Sequence, residues 1–215
     1  ASAAALEKLC RRYWRPIYAY ARRYGHSEHD SQDLTQGFFA DLLLRDGIGL
    51  ADPDRGRFRT FLLTAFRRFV TRQWRKASAD KRAGSHTWIS FEELRDAEHG
   101  LRLEDLAAPP ENFYDLEWAR NTFLAALERL RSEYDRAGKS TEFSRLLPFL
   151  SRSGTAEEYG SVATEFGWKP DSVAVAAHRL RRRYGELTRS EVARTVGRLD
   201  EIEDELRYLV AAIGA

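Results

Sequence analysis

Apolar residues recur at intervals of three or four along most of this chain, and proline and glycine are rare inside those stretches. Such spacing lines one face of an α-helix, whereas strands need apolar and polar residues in strict alternation. We find no clean alternation bounded by turns. The pattern therefore predicts an all-α fold, and 215 residues suffice for one large helical domain or two small ones.

The N-terminal part of the sequence predicts three helices. The first contains Pro16, which should kink or divide it because proline lacks the backbone donor that a helix interior uses. Ser27 and Asp30 resemble a capping box at the start of the second helix. Glycine and proline mark residues 46–56 as a loop. A strongly patterned third helix is expected over about residues 58–77.

Helical periodicity continues in the second half of the chain. Helices are expected at about 116–136 and 140–151, followed by a compact helical pair that spans residues 156–188. The tail carries an apolar stripe, which we expect to pack back on its own domain. The alternative is a partner helix that holds two domains together. The stripe consists of Ile202, Leu206, Leu209 and Ile213.

Charge is segregated along the sequence. Residues 55–82 contain ten Lys or Arg and one Asp, a net charge of +9. Residues 91–117 contain nine acids and two arginines, a net charge of −7, and the whole chain carries only +2. We therefore expect two small helical domains joined by an acidic linker. The boundaries are 1–82 for the first domain, 83–115 for the linker, 116–199 for the second domain and 200–215 for a C-terminal amphipathic helix.

The opposite charges of these segments motivate a hypothesis about the free protein. In a closed form, the acidic linker would cover the basic helix of the first domain. Deletion of residues 91–112 should then raise the binding of the isolated protein to single-stranded DNA.

The segment EYGSVATEFGWKPDSVAVAAHRLRRRY, residues 158–184, has the pattern of a helix-turn-helix. Gly167 stands where the first helix must end in a left-handed conformation, and Pro170 suits the first turn of the second helix. In this motif the start of the second helix enters the major groove of DNA. The buried stripe would be Val173, Ala177, Leu180 and Tyr184. Base-edge contacts are expected from Lys169, Ser172, Ala174, Val175 and His178, and phosphate contacts from Arg179, Arg181 and Arg182.

The alternative is a helical hairpin whose arginines are only solvated. His178 is expected at the surface or against a phosphate, because no second metal ligand stands at helical spacing from it. The single cysteine, Cys10, forms no metal-binding pattern with the five histidines. No metal site and no cofactor are therefore expected.

Cations and aromatics alternate in the third predicted helix. Cations neutralise phosphates, and aromatic rings can stack on unpaired bases. We assign Phe58, Phe61 and Phe69 to the core. The remaining members are candidates for nucleic-acid binding: Arg59, Arg67, Arg68, Arg72, Trp74, Arg75 and Lys76.

Two sets of motifs resemble a known family. DSQDLTQGFFADLL followed by GRFRTFLLTAFRRFVTRQWRKASADKR resembles the first conserved domain of bacterial RNA polymerase sigma factors, region 2. YGSVATEFGWKPDSVAVAAHRLRRRYGELTRSEVARTV resembles their last domain, region 4. The two-domain plan is similar to the extracytoplasmic-function (ECF) group of the sigma-70 family. DLTQGFF, DPDRGRFRTFLL, HRLRRRY and EVARTV are similar to a subgroup often associated with serine/threonine kinases.

The resemblance implies a promoter-specificity subunit. Its partners would be core RNA polymerase, through the beta-prime and beta subunits, promoter DNA, and a Ser/Thr kinase or other regulator. The family docks its second helix on the beta-prime coiled coil, whose basic surface suits acids. The matching positions here are Asp30, Asp33, Gln36 and Asp41.

The resemblance also implies how promoter DNA is bound. The face that carries Arg68, Arg72, Arg75 and Lys76 matches the family's minus-ten surface. The family melts the duplex there and captures a flipped base, which we place in the loop 46–56. Residues 169–183 match the helix that reads the minus-thirty-five element.

The sequence departs from the family in its docking helix. Gln32 and Gly37 stand where an acid is expected, which would weaken docking. Arg72 stands where many members have an acid, and Arg68 where many have an asparagine. We hypothesise that phosphorylation of Thr35, or else of Ser31, restores the missing negative charge.

Two other classes of function stay open at this point. A stand-alone helix-turn-helix regulator would bind duplex DNA without polymerase. An enzyme has the least support, because we find no acid pair, nucleophile constellation or phosphate loop in the sequence. No apolar run reaches the roughly 18–20 residues of a membrane span and no secretory signal is visible, so we expect a soluble, cytoplasmic protein.

Overall fold

The structure of the protein is a computed structural model that describes residues 3–45, 56–81 and 110–214. All regular secondary structure in these residues is helical, which confirms the predicted fold class. Short 3₁₀ turns cover Leu147–Phe149 and Leu199–Glu201. The α-helices are α1 (Ala3–Arg23), α2 (Glu28–Leu44), α3 (Phe58–Lys81), α4 (Pro110–Arg136), α5 (Ser140–Leu146), α6 (Ala156–Phe166), α7 (Pro170–Val192) and α8 (Ile202–Gly214).

Two helices differ from their predicted form. Pro16 lies inside α1 without dividing it. Its neighbours Ile17 and Tyr20 are fully buried, and this packing holds the helix together where proline removes one hydrogen bond. Helix α4 begins at Pro110, six residues before the predicted start. Proline suits the first turn of a helix, and the residues that follow bury large aromatic side chains, so the end of the predicted linker is helical.

The described residues form two compact units. The first contains those up to Asn121 together with those from Thr195 onward, and the second is Thr122–Arg194. These limits differ from the predicted boundaries at residues 116 and 199. The first half of α4 and all of α8 belong to the first unit, because their buried side chains pack there.

Aromatic side chains fill the core of the first unit. Tyr13 stacks on Trp118 with ring centroids 4.6 Å apart, which fastens α4 to α1. Phe38 of α2 meets Phe66 of α3 edge to face at 5.3 Å, a geometry that the ring quadrupoles favour. Of the three phenylalanines assigned to the core, Phe69 is buried, whereas the other two are half-buried and pack on each other.

The second unit is built around the first half of α7. The predicted stripe is confirmed: Val173, Ala177 and Leu180 are fully buried. Tyr184 is half-buried, and its hydroxyl donates to the carbonyl of Phe123 at 3.1 Å. The stripe therefore turns the opposite face of α7 toward solvent.

Helix α8 packs within the first unit, and the expectation that it packs back on the second domain is wrong. Within its predicted stripe only Leu209 is fully buried, whereas Ile213 is exposed. A polar contact also attaches it: the carboxylate of Glu205 is buried and meets Arg57 and Arg59 at the start of α3.

Candidate nucleic-acid interface

The exposed cations of α3 form one surface, which we call the α3 face: Arg68, Arg72, Arg75 and Lys76. All four are exposed, and Trp74 beside them is half-buried. Arg72 lies four residues after Arg68, and Arg75 and Lys76 lie three and four residues after Arg72, so the cations occupy neighbouring turns. Guanidinium and ammonium groups in this arrangement can neutralise consecutive phosphates, and Trp74 adds an aromatic ring within reach.

Arg59 does not belong to the α3 face, which corrects the sequence prediction. Its Nη1 donates to Oδ1 of Asp115 at 2.8 Å and its Nε to Oε1 of Glu205 at 2.7 Å. Its guanidinium also lies 4.1 Å from the ring centre of Tyr208. Only 11% of the side chain is exposed. Burial lowers the pKa of Arg59, but the charge and hydrogen bond of Glu205 and the charges of Asp115 and Tyr208 together outweigh this effect, so the pKa is raised. The guanidinium of Arg59 therefore binds carboxylates of the same chain and is not available to a phosphate.

Arg67 is also held by other helices. Its Nε donates to the hydroxyl of Tyr20 at 2.7 Å, and its Nη2 pairs with Glu111. With 43% of its side chain exposed it is more accessible than Arg59. A phosphate would have to compete with Glu111 for it.

The acids that hold these arginines were not predicted as site residues. Glu111 and Asp115 lie at the end of the predicted acidic linker, so the charge segregation was the signal for them. Their contacts agree with the hypothesis that acids of the linker cover the basic helix; residues 91–109 lie outside the described ones. Glu205 had no comparable signal, because pairing across 146 residues leaves no local pattern.

The predicted docking residues lie on α2 and differ in their availability. Gln36 is exposed. Asp33 is exposed and lies 3.3 Å from Nδ1 of His29. Asp30 belongs to the helix cap, since its backbone N–H donates to Ser27 Oγ at 3.1 Å.

Asp41 connects the docking helix with the α3 face. Its Oδ2 accepts from Nη2 of Arg72 at 2.6 Å, and its Oδ1 accepts from Nε of Arg45 at 2.7 Å. Two cations of the chain thus compensate one predicted docking acid. Arg72, which replaces an acid of the family, makes one of these two contacts.

The two predicted phosphosites are inaccessible. Thr35 and Ser31 are both fully buried in α2. Thr35 Oγ1 donates to the carbonyl of Ser31 at 2.6 Å, and Ser31 Oγ donates to the carbonyl of His26 at 3.4 Å. A phosphate there would bring about two negative charges into a fully buried position. The structure therefore speaks against Thr35 and Ser31 as phosphorylation sites.

Little room is left for a side chain at Gly37, where the family resemblance leads us to expect an acid. A Cβ atom at this position would lie 3.3 Å from Cζ of Phe69, tighter than ordinary contact. The ring of Phe69 would have to shift by a few tenths of an ångström to admit it. Gln32, the other departure, is exposed and has no such constraint.

Helices α6 and α7 have the geometry that the sequence predicts. Thr155 and Glu158 form a complete capping box at the start of α6. Gly167 ends α6 with φ of 65°, in the left-handed region, and the N–H of Trp168 bonds to the carbonyl of Ala163 at 2.8 Å. Lys169 is the N-cap of α7 and Pro170 its first residue. Two helices thus meet across a tight turn.

Most of the predicted DNA-contacting residues of α7 are exposed. Val175 has 49% of its surface exposed, so its methyl groups are accessible on this face of α7. Ala174 and Arg181 are half-buried, and Nη1 of Arg181 lies 3.3 Å from the carbonyl of Arg152. Fully exposed are Lys169, Ser172, His178, Arg179 and Arg182.

Arg183 differs from its neighbouring arginines. It donates to both carboxylate oxygens of Glu133, at 2.7 and 2.8 Å, and to Glu186 at 3.0 Å. Hydrogen bonds to Glu133 and Glu186 raise its pKa. Within this arginine cluster, Arg183 thus fastens α7 to α4, whereas Arg182 pairs with Glu186 of its own helix at 3.1 Å.

In residues 3–45, 56–81 and 110–214, no cluster of three or more His, Cys, Asp or Glu side chains is arranged to hold a metal ion. No described helix combines the length with the apolar character that a bilayer crossing demands.

A comparison with protein families identifies the first unit. Residues 9–79 match the family model of sigma-70 region 2. The match includes α2 and nearly all of α3, and with them the docking residues and the α3 face. No curated protein and no solved structure gives a significant match to the chain. The N-terminal third of the chain is therefore similar to sigma-70 region 2.

Proposed function

We propose that the protein is an ECF-type sigma factor, which binds core RNA polymerase and directs it to promoters. The match of residues 9–79 to region 2 carries this proposal, because that region contains both the polymerase-docking and the minus-ten functions of the family. Region 2 is a non-enzymatic transcription-factor domain. In this proposal, catalysis belongs to the polymerase, and the protein acts with it in the cytoplasm.

The α3 face would bind the minus-ten element. Its four exposed cations supply phosphate contacts, and Trp74 supplies a ring for an unpaired base. Arg59 is excluded from this role by its burial and its two carboxylate partners. The base-capturing role predicted for the loop 46–56 lies outside the described residues, apart from Gly56.

Helix α2 would dock on the beta-prime coiled coil. The exposed Asp33 and Gln36 are the accessible members of the predicted set. Asp41 would bind the coiled coil only if its contact with Arg72 were broken. Electrostatic complementarity of this kind mainly accelerates association and fixes the register.

The second unit would bind the minus-thirty-five element through the exposed face of α7. The tight turn at Gly167 and the exposure of Val175 and His178 support this assignment. Arg179 would contact phosphates, and Arg182 would do so after giving up its exposed contact with Glu186. Arg183 would not, because Glu133 of α4 and Glu186 both hold it.

Run-off transcription with core polymerase on the DNA upstream of the protein's own gene tests the proposal. The wild-type protein should give a specific transcript, and the triple variant Arg68→Ala, Arg75→Ala, Lys76→Ala should lose most of it. Arg207→Ala, which removes an exposed arginine of α8, serves as the matched control. A transcript that is independent of the protein, or equal for the wild type and the triple variant, would contradict the proposal.

A stand-alone DNA-binding regulator is the second candidate, favoured by the geometry of α6 and α7. Such a regulator would bind duplex DNA through the second unit alone and would not associate with polymerase. Co-purification with core polymerase separates the two functions. Retention through several washes at moderate salt is expected of a sigma factor only.

A further inference from the structure

A cavity of about 440 Å³ lies between α1 and the first half of α4, within the first unit. Its lining includes Arg15, Tyr18, Arg22, Arg23, Phe113 and Glu117. None of these residues belongs to the α3 face, to the docking set or to α7. The volume falls in the range of about 300–1,000 Å³ that is typical of small-molecule sites.

The charge of this cavity is strongly positive. Three guanidinium groups line it, against the single carboxylate of Glu117. That carboxylate is shared, because Nη1 of Arg120 lies 3.2 Å from its Oε1 while Nε of Arg15 lies 3.8 Å from its Oε2. The long Arg15 contact leaves its guanidinium open to a closer anion. A concave site with this excess of positive charge attracts anions.

The arginines retain unused donors that point to a ligand. Nε of Arg23 is buried and has no hydrogen-bond partner among the described residues. Arg22 uses Nη1 for the carbonyl of His26 at 3.1 Å, which leaves other N–H groups of its five. A buried donor without a partner costs free energy, so a ligand oxygen at this position would be stabilising.

Aromatic groups define the other half of the site. The guanidinium of Arg23 lies 4.1 Å from the ring centre of Phe113, and Tyr18 lines the cavity as well. An Arg–Phe pair offers a flat surface on which a planar ring can stack. The cavity thus combines phosphate-binding cations with a surface that suits a base.

The spacing of the arginines indicates the length of the ligand. Arg15 and Arg22 are seven residues apart, so they lie on one face of α1 about 10 Å apart along the axis. Two long side chains from these positions can converge on one ligand, each binding one of two linked phosphate groups. We propose that this cavity is a binding site for a nucleoside diphosphate, with its phosphates on Arg15 and Arg22 and its base against Phe113.

The site concerns a second ligand of the protein and does not depend on the proposed sigma-factor function. Because its walls come from α1 and α4, a bound nucleotide would join these two helices. Occupancy should therefore raise the thermal stability of the first unit by mass action.

Isothermal titration of the full chain with GDP, ADP, pyrophosphate and inorganic phosphate tests the proposal. We expect a nucleoside diphosphate to bind more tightly than inorganic phosphate. The double variant Arg15→Ala, Arg22→Ala should lower its affinity about tenfold or more. Phe113→Leu should weaken the nucleotide but leave pyrophosphate unchanged. Arg207→Ala is the control for a lost surface arginine.

Circular dichroism and the melting temperature of each free variant establish that it folds. Arg15→Lys with Arg22→Lys provides a second test, because it keeps the charge and removes the bidentate geometry. The proposal is overturned if neither diphosphate binds, or if the alanine double variant binds as well as the wild type. Arginine-dependent binding of polyglutamate without nucleotide binding would also overturn the proposal, because the cavity would then be a docking surface for acidic protein segments.

Discussion

Nε of Arg59 donates to Oε1 of Glu205 at 2.7 Å, although 146 residues separate the two in the chain. Arg59 stands in the first turn of α3 and Glu205 in the first turn of α8. Asp115 completes the cluster from α4, at 2.8 Å from Nη1 of the same arginine. One guanidinium thus joins three helices of the first unit.

Neutralising Glu205 should loosen α8. The variant Glu205→Gln leaves Arg57 without this ion pair and Arg59 with Asp115 alone, in a site with little solvent. Breaking a buried ion pair from one side typically costs about 3–5 kcal/mol. Hydrogen exchange of the α8 amides should accelerate markedly, and the melting temperature of the protein should fall. Asp204→Asn is the matched control, because Asp204 is exposed and pairs only with Arg207 in the structure described; equal exchange in both variants would refute the prediction.

Thr35→Glu should destabilise the protein rather than activate it. Thr35 is fully buried and its hydroxyl already bonds to the Ser31 carbonyl. A carboxylate at this position would be buried, and an isolated buried charge costs several kcal/mol. Thermal unfolding measures the loss. Thr64→Glu, on an exposed position of α3, should change stability by less than about 0.5 kcal/mol. An unchanged melting temperature for Thr35→Glu, together with higher transcription, would restore the phosphorylation hypothesis.

Substitution by an acid should have different effects at Gln32 and at Gly37, the two positions of α2 where the family resemblance leads us to expect one. Gln32→Glu adds a charge at an exposed position and should raise the affinity for core polymerase, chiefly through a faster association rate. Gly37→Asp should instead lower the stability of the first unit, because its side chain meets Phe69. Surface plasmon resonance at two salt concentrations and thermal unfolding separate these effects. A Gly37→Asp protein as stable as the wild type would show that Phe69 moves freely.

Neighbouring arginines of α7 should differ in DNA binding. Arg179→Ala removes an exposed cation, so it should weaken binding of the holoenzyme to all promoters. The slope of the logarithm of the binding constant against the logarithm of the salt concentration should become shallower by about one unit. His178→Ala should cost about 1–3 kcal/mol on the cognate minus-thirty-five element alone. Arg183→Ala is the comparison: its main effect should be on folding stability, because Glu133 and Glu186 hold it. A salt slope lowered equally by Arg183→Ala would contradict this division.

Acid should weaken the start of α6 through Glu158. Hydrogen bonds from Arg152 and from the Thr155 backbone lower the pKa of Glu158 from 4.5 to about 2. Because the folded-state pKa is the lower one, the stabilisation is fully present above pH 4.5 and is lost as the pH falls toward 2. Glu158→Gln should therefore show a smaller loss of melting temperature across this window than the wild type. Glu157→Gln, one residue away and exposed, should follow the wild-type curve.

Helical periodicity sufficed to predict the local structure of this chain. The buried stripe of α7 and the turn at Gly167 follow from short-range patterns, because helix packing and capping depend on residues three or four apart. The start of α4 was missed, since the acidic composition before it indicates a linker while the burial of Tyr114 and Trp118 depends on α1.

The electrostatic partners could be predicted only in part. Charge segregation pointed to acids near the basic helix, and Glu111 and Asp115 meet that expectation. The pairing of Arg59 with Glu205 was not predictable, because the sequence around each residue is typical of a charged side chain on the protein surface. Burial of an ion pair is decided by tertiary packing. The sequence also could not show that Arg183 bonds to Glu133 of another helix while Arg182 bonds to Glu186 of its own.

The contact between Arg72 and Asp41 has a consequence for how the proposed complex assembles. A DNA phosphate that attracts Arg72 leaves Asp41 more negative, and a polymerase cation that attracts Asp41 releases Arg72. By thermodynamic linkage, each ligand favours the other by the same free energy. For a pair this exposed the amount is modest, up to about 1 kcal/mol. One replaced residue thus makes promoter and polymerase weakly cooperative ligands of the same protein, whichever arrives first.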